Sequence, residues 1–263
     1  MAKSIKIVCL NLWLGGELFE KVLAFLRQED PDILLLQEVF DGHGSKLAEQ
    51  YRSMEVVRSN MQFVADDFAA TYREAGKDAP ERGIERGNAI FSKYPIVQRA
   101  EPIFFNDPYS DRYEDRDPAN HPRAPRNLQH VCIDVEGVLL DVFNFQGVWD
   151  LDGDNDSPER LQMSKKIVDA IAGQPNVVLA GDTNVKPNTQ TIRNIEEHLT
   201  NVFKDDLATT FNMRRKDNPG YATAVVDMLF VSPNLRVSGK HCPDVDLSDH
   251  LPLVATVEVP AGE

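Results

Sequence analysis

Leu128-Gln129-His130-Val131-Cys132-Ile133-Asp134-Val135 and Val138-Leu139-Leu140-Asp141-Val142-Phe143-Asn144 are separated only by Glu136-Gly137. Two apolar runs joined by so short a turn read as a hairpin, hence an antiparallel pair. The chain begins differently. Ile5–Leu10 reads as a strand. Leu18, Val22, Phe25 and Leu26 then share one helical face, the helix stops near Asp30-Pro31, and Ile33–Leu36 is the next strand. A strand–helix–strand start combined with a later hairpin predicts an α/β sandwich with mixed sheets rather than a purely parallel, doubly wound sheet.

Further strands are expected at Ala89–Phe91, Val177–Ala180, Met228–Val231 and Leu253–Val259. Ser157-Pro158-Glu159 is a helix opening with a capping hydroxyl, a proline and an acid in order. Leu161, Ile167, Val168 and Ile171 then line one face, and Gly173 ends the helix. Ile192, Ile195 and Leu199 predict another helix, and Lys46–Val57 and Met61–Arg73 also read as helical. Residues 106–127 read as a long polar surface loop.

No linker-like composition interrupts the 263 residues, so a single domain over 1–263 is expected. A hydrophobic content of 42% supplies a core and excludes a mainly disordered chain. No run approaches the roughly 20 apolar residues of a bilayer span. The N-terminal residues lead straight into a strand pattern without a leader-like apolar stretch, and the three cysteines, Cys9, Cys132 and Cys242, have no paired spacing. The cytoplasm is therefore the expected compartment. Acids outnumber bases 42 to 28, a formal charge of −14. That balance disfavours generalised attraction to duplex nucleic acid and suits a site gathering carboxylates around a divalent cation.

Polar residues with chemical potential stand where the apolar runs stop. Asn11 follows the first strand and Gln37-Glu38 the second. Gly181-Asp182-Thr183-Asn184 follows Val177–Ala180, Asp227 precedes Met228–Val231, and Ser248-Asp249-His250 precedes Leu253. Singly, each reads equally well as a turn or surface residue. Together, at the ends of facing strands, they can converge on one edge, where α/β proteins place ligands.

This ordered series, with Arg86-Gly87-Asn88-Ala89-Ile90-Phe91-Ser92-Lys93-Tyr94-Pro95-Ile96 between its members, resembles the endonuclease/exonuclease/phosphatase superfamily, which includes DNase I. The resemblance implies a DNase I-like, four-layer α/β sandwich with two central mixed sheets flanked by helices. It also implies divalent-metal phosphoester hydrolysis, with Mg²⁺ as the cofactor and Mn²⁺ as the alternative. Glu38 is the candidate direct ligand, since a hard cation prefers carboxylate oxygen, and Asn11 would orient it or touch the hydrated ion. By the resemblance Asp182 would activate the attacking water and Asn184 would contact a phosphate oxygen. His250 would contact the scissile phosphate, Asp227 would hold its other ring nitrogen, and Asp249 would contact metal or water. Many members carry Asn-x-His after the hairpin, whereas here the residues are Asn144-Phe145-Gln146. Gln146 donates a neutral hydrogen bond only, so Asn144 is expected to share the phosphate contact.

Asp150, Asp152, Asp154 and Asp156 faintly resemble a calcium loop, but Leu161 stands where its last glutamate would be, and a solvated loop is expected instead. Arg112, Arg116, Arg123 and Arg126, and the basic turn Arg214-Arg215-Lys216, read either as solvated surface or as arginine forks for substrate phosphate. Trp13 and Trp149 are core or flank the mouth. The expected substrate is a phosphoester, either a nucleic acid or a small phosphodiester. The expected activity is a phosphodiesterase, with a nuclease or DNA-end phosphodiesterase, or a catalytically weakened phosphate-binding module, as alternatives.

Overall fold

A computed structural model of the protein describes residues 2–75, 82–114, 118–151 and 153–260. Its first sheet runs β13 (Arg236–His241), β14 (Leu253–Val259), β1 (Lys3–Asn11), β2 (Ile33–Phe40), β4 (Glu85–Ser92), β3 (Ala65–Glu74), β7 (Ser110–Tyr113). Its second runs β11 (Thr200–Asn201), β12 (Asp227–Val231), β10 (Val177–Asp182), β9 (Val138–Gln146), β8 (Asn127–Val135), β5 (Ile96–Arg99), with β6 (Ile103–Phe104) also on β8. Both are mixed. β1 is parallel to β2 and antiparallel to β14, while β10 is parallel to β9 and antiparallel to β12. The hairpin β8–β9 turns at Glu136 and Gly137, both at positive φ (55° and 94°), the backbone that a two-residue turn requires.

Successive strand residues face opposite sides, and in the central strands β2 and β10 both sides are buried, which is why Ile33–Leu36 and Val177–Ala180 are continuously apolar. Ile5, Ile7 and Cys9 of β1 point between the sheets, against Val142, Val178 and Leu229. Val8 and Leu10 point outward, onto Val22 and Leu26 of α1 (Phe19–Glu29) and Met54 and Val57 of α2 (Ser53–Asn60). On the other side Phe143, Phe145, Val177 and Leu179 meet Met163 and Ile167 of α3 (Pro158–Ile171) and Ile192 and Ile195 of α4 (Gln190–Glu196). The result is helix, sheet, sheet, helix: the four-layer sandwich. No helix among the described residues is long and apolar enough to cross a membrane.

Several local expectations need correction. Met61–Arg73 is not helical, because residues 65–74 form β3, paired with β4 and β7. Gly87 of β4 permits that close pairing: a Cβ there would lie 2.2 Å from the Ala69 carbonyl oxygen. The helix expected from Lys46 starts only at Ser53, after a 3₁₀ turn at Glu49–Arg52. Ser157 caps α3 through Arg160 N–H as expected, but Leu161 is exposed and Met163 takes the core position. Leu199 lies beyond the end of α4. The 106–127 segment contains β7 and a 3₁₀ turn at Pro118–Arg123. Arg116 and Asp152 lie outside the described residues.

Candidate active site

Strand register assembles the site. In the second sheet Gln146 of β9 pairs with Asp182 of β10, and Asp182 pairs with Asp227 of β12. Three adjacent strand ends thus put an amide and two carboxylates in one row. In the first sheet Asn11 ends β1 opposite Gln37 of β2. Glu38 follows at a break in the β2–β4 register, with φ +58°, a left-handed conformation uncommon outside glycine. That turn carries its carboxylate to the rim, where Leu14 N–H donates to Oε2 at 2.9 Å and Gly15 N–H to the Glu38 carbonyl at 2.8 Å. Ser248 brings in the last segment: its hydroxyl donates to the Asn11 carbonyl at 2.7 Å and accepts from His250 N–H at 3.2 Å.

These residues open into one cleft of about 270 Å³, lined by Glu38, Gln146, Asp182, Asn184, Asp249 and His250. Arg86, Arg126 and Lys216, with Trp13, Trp149, Phe211 and Tyr221, form more of its wall. The two carboxylates are bound by shared amides. Asn11 Nδ2 donates to Glu38 Oε1 (3.3 Å) and Asp182 Oδ2 (3.1 Å), and Gln146 Nε2 donates to the same two oxygens (2.9 and 3.4 Å). Asn184 N–H donates to Asp182 Oδ1 at 3.0 Å, while its side-chain Nδ2 is used on the Gly147 carbonyl. His250 Nδ1 lies 2.8 Å from Asp227 Oδ2.

The environments push these groups in different directions. Burial alone would raise Glu38. The Arg86 guanidinium, the Leu14 N–H, the Gln146 amide and the Arg126 charge overcome it and hold the carboxyl at about 2. Burial raises Asp182 to about 6, with the nearby Asp227 and Glu38 adding to it against the pull of His250. Burial would lower His250, but Asp227 foremost, then Asp249 and Asp182, raise it to about 10. Near neutrality the site therefore holds a mostly ionised Asp182, poised near its pKa, beside an imidazolium.

Two groups of side chains are candidates for a cation. Asp182, Asp227 and His250 offer ligand atoms within 4.8 Å of one another. An imidazolium has no free lone pair, however, and this trio works as a proton-holding network. Glu38 and Asp182, two carboxylates held against the same amides with Asn11 beside them, form a hard, oxygen-rich and negative set that fits Mg²⁺ better. Asp249 lines the cleft but is engaged by Lys216, whose Nζ stands 2.5 Å from Oδ2.

Asn144 does not line the cleft. It shares a strand face with Gln146 but sits one rung deeper, wholly buried between the sheets. Its Nδ2 donates to the Leu36 and Ala89 carbonyls and Gln129 Oε1, and its Oδ1 accepts from Gln37 at 2.6 Å. The expected phosphate contact is thereby replaced by a tie between the sheets. The basic turn also divides. Arg214 and Arg215 pair with Asp244 and Asp246 at the surface, and only Lys216 reaches the cleft, its Nζ 5.1 Å from the ring centres of both Phe211 and Tyr221. Arg112 and Arg123 line a separate surface hollow, whereas Arg126 is in the cleft wall. Asp156 caps α4 through Gln190 and Thr191 N–H, and Arg160 donates to the Gly153 and Asn155 carbonyls, so this acidic loop is braced internally. Sequence reasoning missed Arg86, which pairs with Glu38 at 2.8 Å; its place directly before Gly87-Asn88 was the available signal.

Comparison with known proteins agrees with this architecture. Among solved structures, an endonuclease/exonuclease/phosphatase from Beutenbergia cavernae superposes with a TM-score of 0.72 at 20% identity, covering 98% of this chain and 72% of that one. D. rerio TDP2 complexed with single strand DNA product gives 0.70 at 15% identity, covering 98% and 100%. A mannosyl-6-phosphatase from Bacteroides thetaiotaomicron gives 0.65 at 17%, covering 96% and 99%. No curated protein matches the chain. Residues 8–250, from β1 to His250, match the model of the Endonuclease/Exonuclease/phosphatase family, and the chain belongs to that family of phosphoester hydrolases.

Proposed function

We propose that the chain is a Mg²⁺-dependent phosphoester hydrolase, in the first place a phosphodiesterase, and that residues 1–263 act as one catalytic domain in the cytoplasm. The observation that carries this reading is the row Gln146, Asp182, Asp227 with His250 at its end, facing Glu38 across one cleft. Glu38, with Asn11 beside it, would hold the cation, Mn²⁺ being the alternative to Mg²⁺. Once bound, the ion would offset phosphate charge and polarise the phosphoryl group. Asp182 would orient the attacking water and accept its proton, and its pKa of about 6 suits that task near neutrality. His250, kept cationic by Asp227, would donate to a phosphate oxygen as negative charge develops. Asn184 would add a neutral donor, Gln146 would hold Glu38 and Asp182 in place through its amide, and Asp249 with Lys216 would form the opposite rim.

A nucleic-acid substrate is the second reading. Trp13, Trp149 and Tyr221 at the mouth favour it, since bases stack on such rings, and D. rerio TDP2 was crystallised with a single strand DNA product. The net charge of −14 favours a small phosphoester. Hydrolysis of an aryl phosphodiester and an aryl phosphomonoester, abolished by EDTA and restored by Mg²⁺ or Mn²⁺, tests the core proposal. Single-stranded and duplex DNA, 5′-tyrosyl DNA, RNA and sugar phosphates then separate the substrates. Phosphate binding without turnover on any ester would leave a binding module and defeat the hydrolase reading.

A further inference from the structure

Among the described residues the cleft wall carries Arg86, Arg126, Lys216 and His250, with His121 beside them. Three have a carboxylate partner, Arg86 on Glu38 at 2.8 Å, Lys216 on Asp249 at 2.5 Å and His250 on Asp227 at 2.8 Å. Among the described residues Arg126 has no carboxylate within ion-pair distance. Its side chain makes one hydrogen bond to a described residue, from Nη1 to Gln146 Oε1 at 2.8 Å. Nε is buried with no hydrogen-bond partner among the described residues, and the residue as a whole is only 7% exposed. Glu38, an acid it acts on electrostatically, is already bonded to Arg86.

A guanidinium cannot shed its proton, so burying one without a counter-ion is costly. Other arginines of the chain pair with acids at the surface, as Arg214, Arg215 and Arg58 do. One buried in a cleft wall, anchored at a single nitrogen by a neutral amide, is arranged for an anion that arrives from the cleft. The anchor has a second effect. With Gln146 Oε1 committed to Arg126, the Gln146 NH₂ must face Glu38 and Asp182, as it does. Charge and neutral donor are thus coupled through one amide.

We propose that Arg126 binds a non-bridging oxygen of the substrate phosphate, with Gln146 as its positioning partner. The proposal rests on the phosphoester reading for the identity of the anion but not for its binding. Inorganic phosphate is the probe. It is titrated calorimetrically into the purified full chain with and without Mg²⁺, for the wild type, Arg126→Gln and Arg126→Lys. The expected result is about tenfold to hundredfold weaker phosphate binding in Arg126→Gln, with kcat/KM for an aryl phosphodiester falling alike, and a smaller loss in Arg126→Lys. Added guanidinium ion should restore part of the loss in Arg126→Ala, which a purely structural role would not permit. Failure of the wild type to bind phosphate, or binding by Arg126→Gln within about twofold of wild type, overturns the proposal. So does a loss that neither Lys nor guanidinium recovers. A wild type that binds phosphate through Arg126 yet hydrolyses no ester leaves this inference standing and removes the hydrolase reading. Unimpaired hydrolysis and phosphate binding by Arg126→Gln does the reverse.

Discussion

The Oδ2 atom of Asp227 lies 2.8 Å from Nδ1 of His250, with both side chains buried and His250 lining the cleft. Nδ1 donates, so Nε2–H is the end left to reach substrate. Asp227 is the leading cause that lifts His250 to about 10. Asp227→Asn should therefore bring the alkaline limb of the pH–kcat/KM profile down toward neutrality. The stability consequence has a definite sign. His250 is raised above its ordinary 6.5, so its stabilising effect is complete below that pH and fades as pH climbs to about 10. Denaturant titrations between those limits should show this decline in the wild type and a smaller one in Asp227→Asn. An unmoved limb with full activity would separate the two residues functionally.

Asp182 carries the opposite burden. Its folded pKa of about 6 exceeds the ordinary 3.8, so its ionisation destabilises the fold increasingly above 3.8, and fully above about 6. Asp182→Asn should lose about 10²–10⁴-fold in kcat, since an amide accepts no proton from water. It should also melt no lower than the wild type above pH 6, and higher if Asn11 and Gln146 can re-aim their donors. The wild-type rate should rise along an acid limb near pH 6. Near-normal turnover by the variant would transfer the water-activating role to another residue.

Glu38→Gln tests the cation site. A neutral amide is a poor ligand for Mg²⁺, so the concentration of Mg²⁺ needed for half-maximal rate should rise at least tenfold. The ion pair with buried Arg86 adds a stability effect, about 1–3 kcal/mol, because the partner loses a charged acceptor. Because Glu38 is held at about 2, its stabilising effect in the wild type is present above the ordinary 4.5 and is lost as pH falls toward 2. Glu38→Gln should lack that acid-side loss. Unchanged Mg²⁺ dependence would move the cation to the Asp182, Asp227 and His250 group.

The sheets were legible wherever both strand faces are buried, as at Ile33–Leu36 and Val177–Ala180, because a continuous apolar run needs no tertiary context. β3 was not. Ala65–Glu74 leaves its first residues half-exposed and gains its pairing from Gly87, a neighbour 18 residues beyond Ala69. Strand-end polar residues were legible because they interrupt apolar runs, and Asn11, Glu38, Asp182, Asp227 and His250 do meet. Depth along a strand was invisible. Asn144 and Gln146 look equivalent in sequence, two residues apart on one face, yet one lies between the sheets and the other at the rim. Arg126 and Arg112 look alike in one polar segment, and only the β8 start places Arg126 in the wall.

Asn144 makes that difference measurable. Asn144→Ala would leave the Gln37 amide, Gln129 Oε1 and two backbone carbonyls without their partner. The expected cost is roughly 1–3 kcal/mol or more, since unpaired buried polar groups each carry a penalty of that order. KM and the pH profile of the folded fraction should stay as in the wild type. A stable variant with a selectively raised KM would return Asn144 to the substrate.

Gln146 is where charge placement can be tested most directly. Its amide accepts from Arg126 and donates to Glu38 and Asp182, all within 3.4 Å. Gln146→Ala deletes the donor that holds Glu38 and Asp182 and frees Arg126 to move, and a misplacement of reacting groups by about 1 Å can cost about a hundredfold. A fall in kcat of about tenfold to a thousandfold is expected. Gln146→Glu has the same shape and the opposite consequence. One oxygen would pair with Arg126, neutralising it, and the other would face Glu38 and Asp182 where a donor stood. Like charges at that distance cannot all ionise cheaply, so the acid limb assigned to Asp182 should move above 6 and phosphate should bind more weakly than to Gln146→Ala. If the glutamate variant instead kept the wild-type limb and wild-type phosphate affinity, Gln146 would not stand between Arg126 and the reacting carboxylates in solution.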